Sequence, residues 1–334
     1  MKKYILPIAL VFTIFTSCKT DFDLNAPYKE TVVIYGLLNS ADDSAQYIRI
    51  SKAFLGEGNA LVMAQQPDSI NYADILDVQL AEELNGIVQN TFQLERIDTI
   101  PKDAGLFAYP YQVYYRLNNH KLNPASLYRL TVRNKQSGYV ASSLTRIVKD
   151  LNPLVDIVNP SPVPTTDFSA QNMFSVRFNS PVNARHFDLV IRFHYTEISL
   201  ADSSRTYHYV DWNFPDQFIS TNSSVITFPY YRPDFYVLLA NQIKVNPLVT
   251  RLAGNAAAGY PAIEFRIIAG TEDVSTYFQL TSPSNAGIQD PPLFTTVENG
   301  VGLFSSRLIH SEFRDLTNAS ALMLTDGNLT KDLF

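Results

Sequence analysis

Short runs in which apolar and polar residues alternate one by one recur along this chain. That period of two constrains the fold more than any other feature. From Leu127 to Arg133, Tyr128, Leu130 and Val132 stand against Arg129, Thr131 and Arg133. From His186 to Tyr195, Phe187, Leu189, Ile191, Phe193 and Tyr195 share one face, and His186, Asp188, Arg192 and His194 share the other. Successive side chains of a strand point to opposite sides, so each such run buries one face of a sheet.

In the first half, strands are predicted at Thr31–Leu38, Gln46–Ser51, Asp77–Leu84, Ile87–Ile97, Tyr111–Leu117, Leu127–Arg133 and Tyr139–Ile147. Asn85-Gly86 separates two of them, and both residues tolerate the positive φ of a type I′ hairpin turn. Short period-two strands at this density predict an immunoglobulin- or fibronectin-like β-sandwich. Phe54–Tyr72 lacks a period and reads as an extended loop or a short helix at the sandwich edge.

Lys149–Ala170 carries Pro153, Pro160, Pro162 and Pro164, and proline removes ladder donors and favours extended linkers. Beyond it, strands are predicted at Met173–Phe178, His186–Tyr195, Arg205–Phe214, Ser224–Phe228 and Ala262–Ala269, with strand-like runs at Gly302–His310 and Ala319–Leu324. Phe235–Lys244 and Glu272–Leu280 have helical spacing. Nineteen Tyr and 21 Phe suit the same conclusion, because aromatic side chains fit half-buried pleated surfaces. The fold class expected is mainly β, with a second β-rich domain that has one or two short helices.

The N-terminus carries a different signal. Lys2 and Lys3 precede an apolar run from Tyr4 to Phe15, then Thr16, Ser17 and Cys18, which is the chain's one cysteine. About a dozen residues are too few to span a bilayer core of roughly 30 Å, and the flanks read as a secretory signal. The run looks like a bacterial lipobox cut before Cys18, with Phe15 where Leu is usual. Lipidation at Cys18 is expected; the alternative is a buried or free thiol, and the chain has no second cysteine for a disulfide. The expected organisation is signal 1–17, tether 18–29, sandwich 30–148, proline-rich linker 149–170 and C-terminal domain 171–334. The tether's lysine and acidic residues loosely resemble a surface-export signal, and a plain solvated linker reads equally well.

Removing Lys2 and Lys3 with the signal leaves 24 basic against 32 acidic residues, and no basic patch or arginine-rich helix is present. Nucleic acid is therefore not an expected partner. Catalytic signatures are missing too: there is no G-x-S-x-G elbow, no H-E-x-x-H and no P-loop. No catalytic residue, metal or cofactor is assigned. His186 and His194 lie roughly 26 Å apart along a strand and cannot share an ion. His186 with Asp188 would need further ligands that the sequence does not identify. A solvated polar face is the expectation for all of them, with His208 facing them across a hairpin.

Two aromatic groups stand out: Phe228–Tyr236, read as a proline-punctuated loop, and Tyr207, Tyr209, Trp212 and Phe214 on a hairpin. Exposed, Trp212, Tyr230, Tyr231 and Arg232 would form a platform for a glycan or peptide; turned inward, the rings are core.

Ser275–Arg307 resembles the closing block of an uncharacterised family of Bacteroidota outer-membrane lipoproteins, in which a short aromatic helix and an Asn- and Pro-rich loop lead to an N-I-E-N-G-x-G-I-F segment. Thr296-Val297-Glu298-Asn299-Gly300-Val301-Gly302-Leu303-Phe304 corresponds to it, with positive φ expected at Asn299 and Gly300. The opening Thr-Val-Val-Ile-Tyr-Gly-Leu-Leu strand agrees as well. The resemblance implies an outer-membrane lipoprotein, facing the surface or the periplasm, that accompanies a TonB-dependent transporter, and it implies no activity. The function expected is ligand capture for, or assembly with, such a transporter; the alternatives are a surface hydrolase of glycans or peptides and an adhesive module.

Overall fold

The computed structural model describes residues 30–53, 59–108, 110–149, 151, 165–220, 225–255, 257–281 and 293–334. The expected signal and tether, with Cys18, lie outside the described residues, as does 152–164 of the proline-rich stretch.

The protein is mainly β. Strands β1 (Val32–Asn39) and β2 (Ala45–Lys52) pair antiparallel. Helical turns α1 (Ala60–Ala64) and α2 (Pro67–Ile70) follow in the stretch that lacked a period. Asn59 caps α1, its side chain accepting from the Leu61 N–H. Strands β3 (Leu76–Leu84) and β4 (Ile87–Gln93) flank Asn85 and Gly86, whose φ of 53° and 77° fit the type I′ turn.

The single strand expected over Ile87–Ile97 is two. It breaks at Leu94, which is buried and whose N–H donates to the Val78 carbonyl at 2.9 Å. Strand β4 stays with β3, while β5 (Glu95–Pro101) crosses to the other sheet beside β6 (Tyr111–Asn118). Strands β7 (Leu127–Asn134) and β8 (Val140–Arg146) complete two sheets, β1-β2-β6-β5 and β4-β3-β7-β8. This is the strand order of an immunoglobulin-like sandwich, with β4 as an extra strand beside β3. Tyr128, at the start of β7, accepts the Asn123 N–H at 2.9 Å, the tyrosine corner of such folds.

The second half comprises β9 (Thr165–Thr166), β10 (Met173–Asn179), β11 (His186–Ser199), β12 (Arg205–Asn213), β13 (Gln217–Phe218), β14 (Val225–Tyr231), α3 (Asp234–Gln242), β15 (Val249–Ala253), β16 (Ile263–Gly270), α4 (Glu272–Thr281), β17 (Gly300–Leu316) and α5 (Asn318–Thr325). Strand β11 is central, with β12 and β13 along one edge and β16 and β15 along the other. Its inner face, Phe187, Leu189, Ile191 and Phe193, joins Phe265 and Ile267 of β16. These pack on the β10–β14 ribbon, α3 and α5 through Phe178, Phe228, Phe235, Leu239 and Leu324.

Three expectations change here. Phe228–Tyr231 is strand rather than loop, with Pro229 tolerated in a two-stranded ribbon. Ala319–Leu324 is helix, because Thr317 caps it by accepting from the Ser320 N–H and Ala, Leu and Met favour helix. Positive φ falls at Asn299 (53°) and Gly302 (120°), not at Gly300. Gly300 is needed for close approach, since a Cβ there would sit 2.8 Å from both Val32 and Val297 side chains.

Strand β17 joins the two halves. Its residues 300–307 run parallel to β1, Val32 facing Gly300 and Asn39 facing Arg307, while 307–314 pair antiparallel with β16. Glu298 bridges to Ser142 of β8 just before it. Val297 and Phe304 are thereby buried in the sandwich core beside Ile34, Ile48 and Leu130. One sheet runs from β12 to β5 across both halves. Among the described residues, no helix is long and apolar enough to cross a membrane.

Candidate functional site

The aromatic residues singled out in the sequence divide by strand parity. Trp212 and Phe214 share the inner side of the β12 segment and pack against the core. Tyr230 faces the same way, 3% exposed, with its ring 5.5 Å from that of Trp212 and 5.8 Å from that of Phe174. Burial pushes its phenol well above the usual range. Trp212 and Tyr230 are thus brought together, but inside. Arg232 lies over the Phe174 ring at 4.5 Å and pairs with Asp167 at 3.4 Å. Tyr231 alone of the four turns outward, 37% exposed, its hydroxyl donating to Gln171 at 3.3 Å.

Tyr207 and Tyr209 lie on the opposite face of β12, and with Tyr260 they present rings that are 39 to 50% exposed. Beneath them the outer face of β11, β16 and β17 is polar. Arg192 grips Asp211 with two hydrogen bonds of 2.6 and 2.8 Å and stacks on the Tyr209 ring at 3.8 Å. Tyr260 stacks on Phe313 at 5.0 Å, held in a loop that Thr196 secures by donating to the Gly254 carbonyl.

His194, expected to be solvated, is buried among Tyr207, Tyr260 and Phe313. Its Nε2 lies 3.2 Å from Glu264, and its Nδ1 lies 2.6 Å from the Tyr207 hydroxyl. Burial works to raise the Glu264 carboxyl, but contacts with His194, Ser311 and Arg266 outweigh it and hold the carboxyl below its ordinary value. Nε2 faces the Glu264 carboxylate without hydrogen-bond geometry, while the hydrogen bond between Nδ1 and the Tyr207 hydroxyl fixes that ring's orientation.

At the other end of the same face, His186 is also buried rather than solvated. Phe218 and Phe278 stack on it with centroids at 5.0 and 4.8 Å. Its Nε2 stands 3.1 Å from Asp188 Oδ1 and 3.4 Å from Asp216 Oδ2. Burial, together with the charge of Asp188, raises the Asp216 carboxyl. Burial alone would raise Asp188 and lower His186, but their mutual contact and that with Asp216 reverse both shifts. The pair at positions 186 and 188 is legible from alternation. Asp216 is not, because only the pairing of His186 with Phe218 brings the Pro215-Asp216 link alongside. His208 is apart from both groups, facing Tyr195 and lying 3.3 Å from Glu197.

Among the described residues, cavities also lie away from these groups. One of about 310 Å³ sits where the halves meet, lined by Arg146, Asn183, Arg185, Glu272 and Asp273. Another, about 670 Å³, opens on the sandwich between α2 and β5, beside Tyr72, Arg96 and Tyr111. Comparison with known protein families and with curated proteins finds no match to this chain.

Proposed function

We propose that the protein is a lipid-anchored cell-envelope protein, held at the outer membrane through Cys18, that captures a glycan or peptide on the outer face of its C-terminal sheet for an adjacent outer-membrane transporter. The observation that carries the capture site is the set of exposed rings on one sheet face, Tyr209 stacked on the paired Arg192, with Tyr207 and Tyr260 both against His194. Rings already held by stacking and by His194 lose little freedom on binding, which favours affinity. Adjacent charged groups would orient the ligand, as few polar groups do in apolar-lined sites. Glu264 and His194 engage one another and their neighbours, which suits a positioning role. The lipobox-like leader and the closing-block resemblance support the anchor and the transporter partnership.

The capture site is tested with full-length protein in detergent on glycan and peptide arrays. Wild type should retain a ligand, and Tyr207→Ala combined with Tyr209→Ala should lose it by about tenfold or more, as hot-spot rings do. Equal retention by both proteins would refute the site. For the anchor, Cys18→Ala should abolish lipid labelling in cells, and undiminished labelling would remove that part of the proposal.

A further inference from the structure

We infer that His186, Asp188 and Asp216 form a binding site for one divalent transition-metal ion of the zinc type. Their ligand atoms all lie within 4.8 Å of one another. Atoms bonded about 2.1 Å from a common ion stand about 3.0 Å apart at octahedral angles and about 3.4 Å apart at tetrahedral ones. The two separations from His186 Nε2 are 3.1 Å to Asp188 and 3.4 Å to Asp216.

A plain ion pair accounts for the group less well. His186 Nε2 and Asp188 Oδ1 are both buried, and neither has a hydrogen-bond partner despite their proximity. Two buried polar atoms that face each other without a usable hydrogen bond are costly. An ion between them would satisfy both. Phe218 and Phe278, on either side of the imidazole, fix its plane so that Nε2 stays directed at the carboxylates.

The donor set selects the class of ion. A neutral imidazole with two carboxylates carries two negative charges, matching a divalent cation. Imidazole nitrogen suits zinc and its neighbours, whereas calcium wants six to eight oxygens and magnesium a near-ideal octahedron. The Asp216 side chain is 45% exposed, so one side of the site opens to water, which would complete the coordination. The ion would fasten the Pro215-Asp216 link to β11.

Full-length protein, stripped with chelator and dialysed, is titrated with zinc by calorimetry and with cobalt by visible absorption. One equivalent should bind, and zinc should raise the melting temperature. Asp216→Asn, at an exposed position, should melt as the parent does in chelator, bind at least about 100-fold more weakly, and gain nothing from zinc. His186→Gln serves as the second variant, with the same loss expected. The absence of saturable binding below millimolar metal would overturn the site. So would unchanged affinity in Asp216→Asn, which would place the ion at another site.

Discussion

Phe304→Ala is the substitution that most directly tests how the two halves are joined. Phe304 is fully buried and belongs to β17, yet it packs in the core of the first-half sandwich. Truncating a buried Phe costs about 3–5 kcal/mol. If β17 makes both halves one cooperative unit of roughly 300 residues, an unfolding entropy of about 2.1 cal/mol/K per residue converts this to a fall of about 5–8 °C in Tm. If the sandwich melts alone, as a unit of roughly 130 residues, the fall is about 11–18 °C. Trp212, the chain's one tryptophan, reports on the second half, whereas far-ultraviolet circular dichroism reports on all strands. Coincident transitions, both shifted by the smaller amount, are expected. An unmoved Trp212 transition beside an early dichroism transition would refute the coupling.

Tyr230→Ala should destabilise by about 3–5 kcal/mol because it empties a core site, while Tyr231→Ala should cost under about 1 kcal/mol; chemical denaturation compares them, and equal costs would contradict the opposite facing of the two rings. Burial raises the phenols of Tyr115, Tyr128 and Tyr236, each to about 12. These groups stay neutral in the folded chain while their unfolded counterparts ionise near the usual value of about 10. Their contribution is therefore fully present below pH ~10 and is lost as pH rises toward ~12. Melting temperature should fall across that window, and a spectrophotometric titration in which every tyrosine ionises together near pH 10 in folded protein would refute it.

Local patterns were legible wherever one residue's neighbours decide its state. Asn85-Gly86 announces its turn, Leu127–Asn134 alternates as a half-buried strand, and Pro233-Asp234 opens α3. Two local signals carry meaning only once the fold is known: Thr317 as a cap for α5, and Tyr128 as a corner tyrosine. Other features depend on partners distant in sequence and leave no local mark. The polar face of β11 reads as solvated, but Phe278 of α4 and Tyr260 lie over it. The parity of β12 splits one aromatic cluster into a core pair and a surface pair. The metal-competent triad has the same origin, since Asp216 reaches His186 only through the β11–β13 pairing.

The parallel pairing of β1 with β17 also sets a timetable for synthesis. Val32 meets Gly300, 268 residues later. At about 5–20 residues per second, the β1 edge waits roughly 13–54 s for the strand that covers it. Through that interval a strand carrying Val32, Ile34, Tyr35 and Leu38 presents unpaired backbone and an incomplete core, the features that invite edge-to-edge association. The nascent chain is therefore most vulnerable in its first domain until its final long strand arrives. A chain truncated before Gly300 should self-associate, and one that retains residues 300–334 should not.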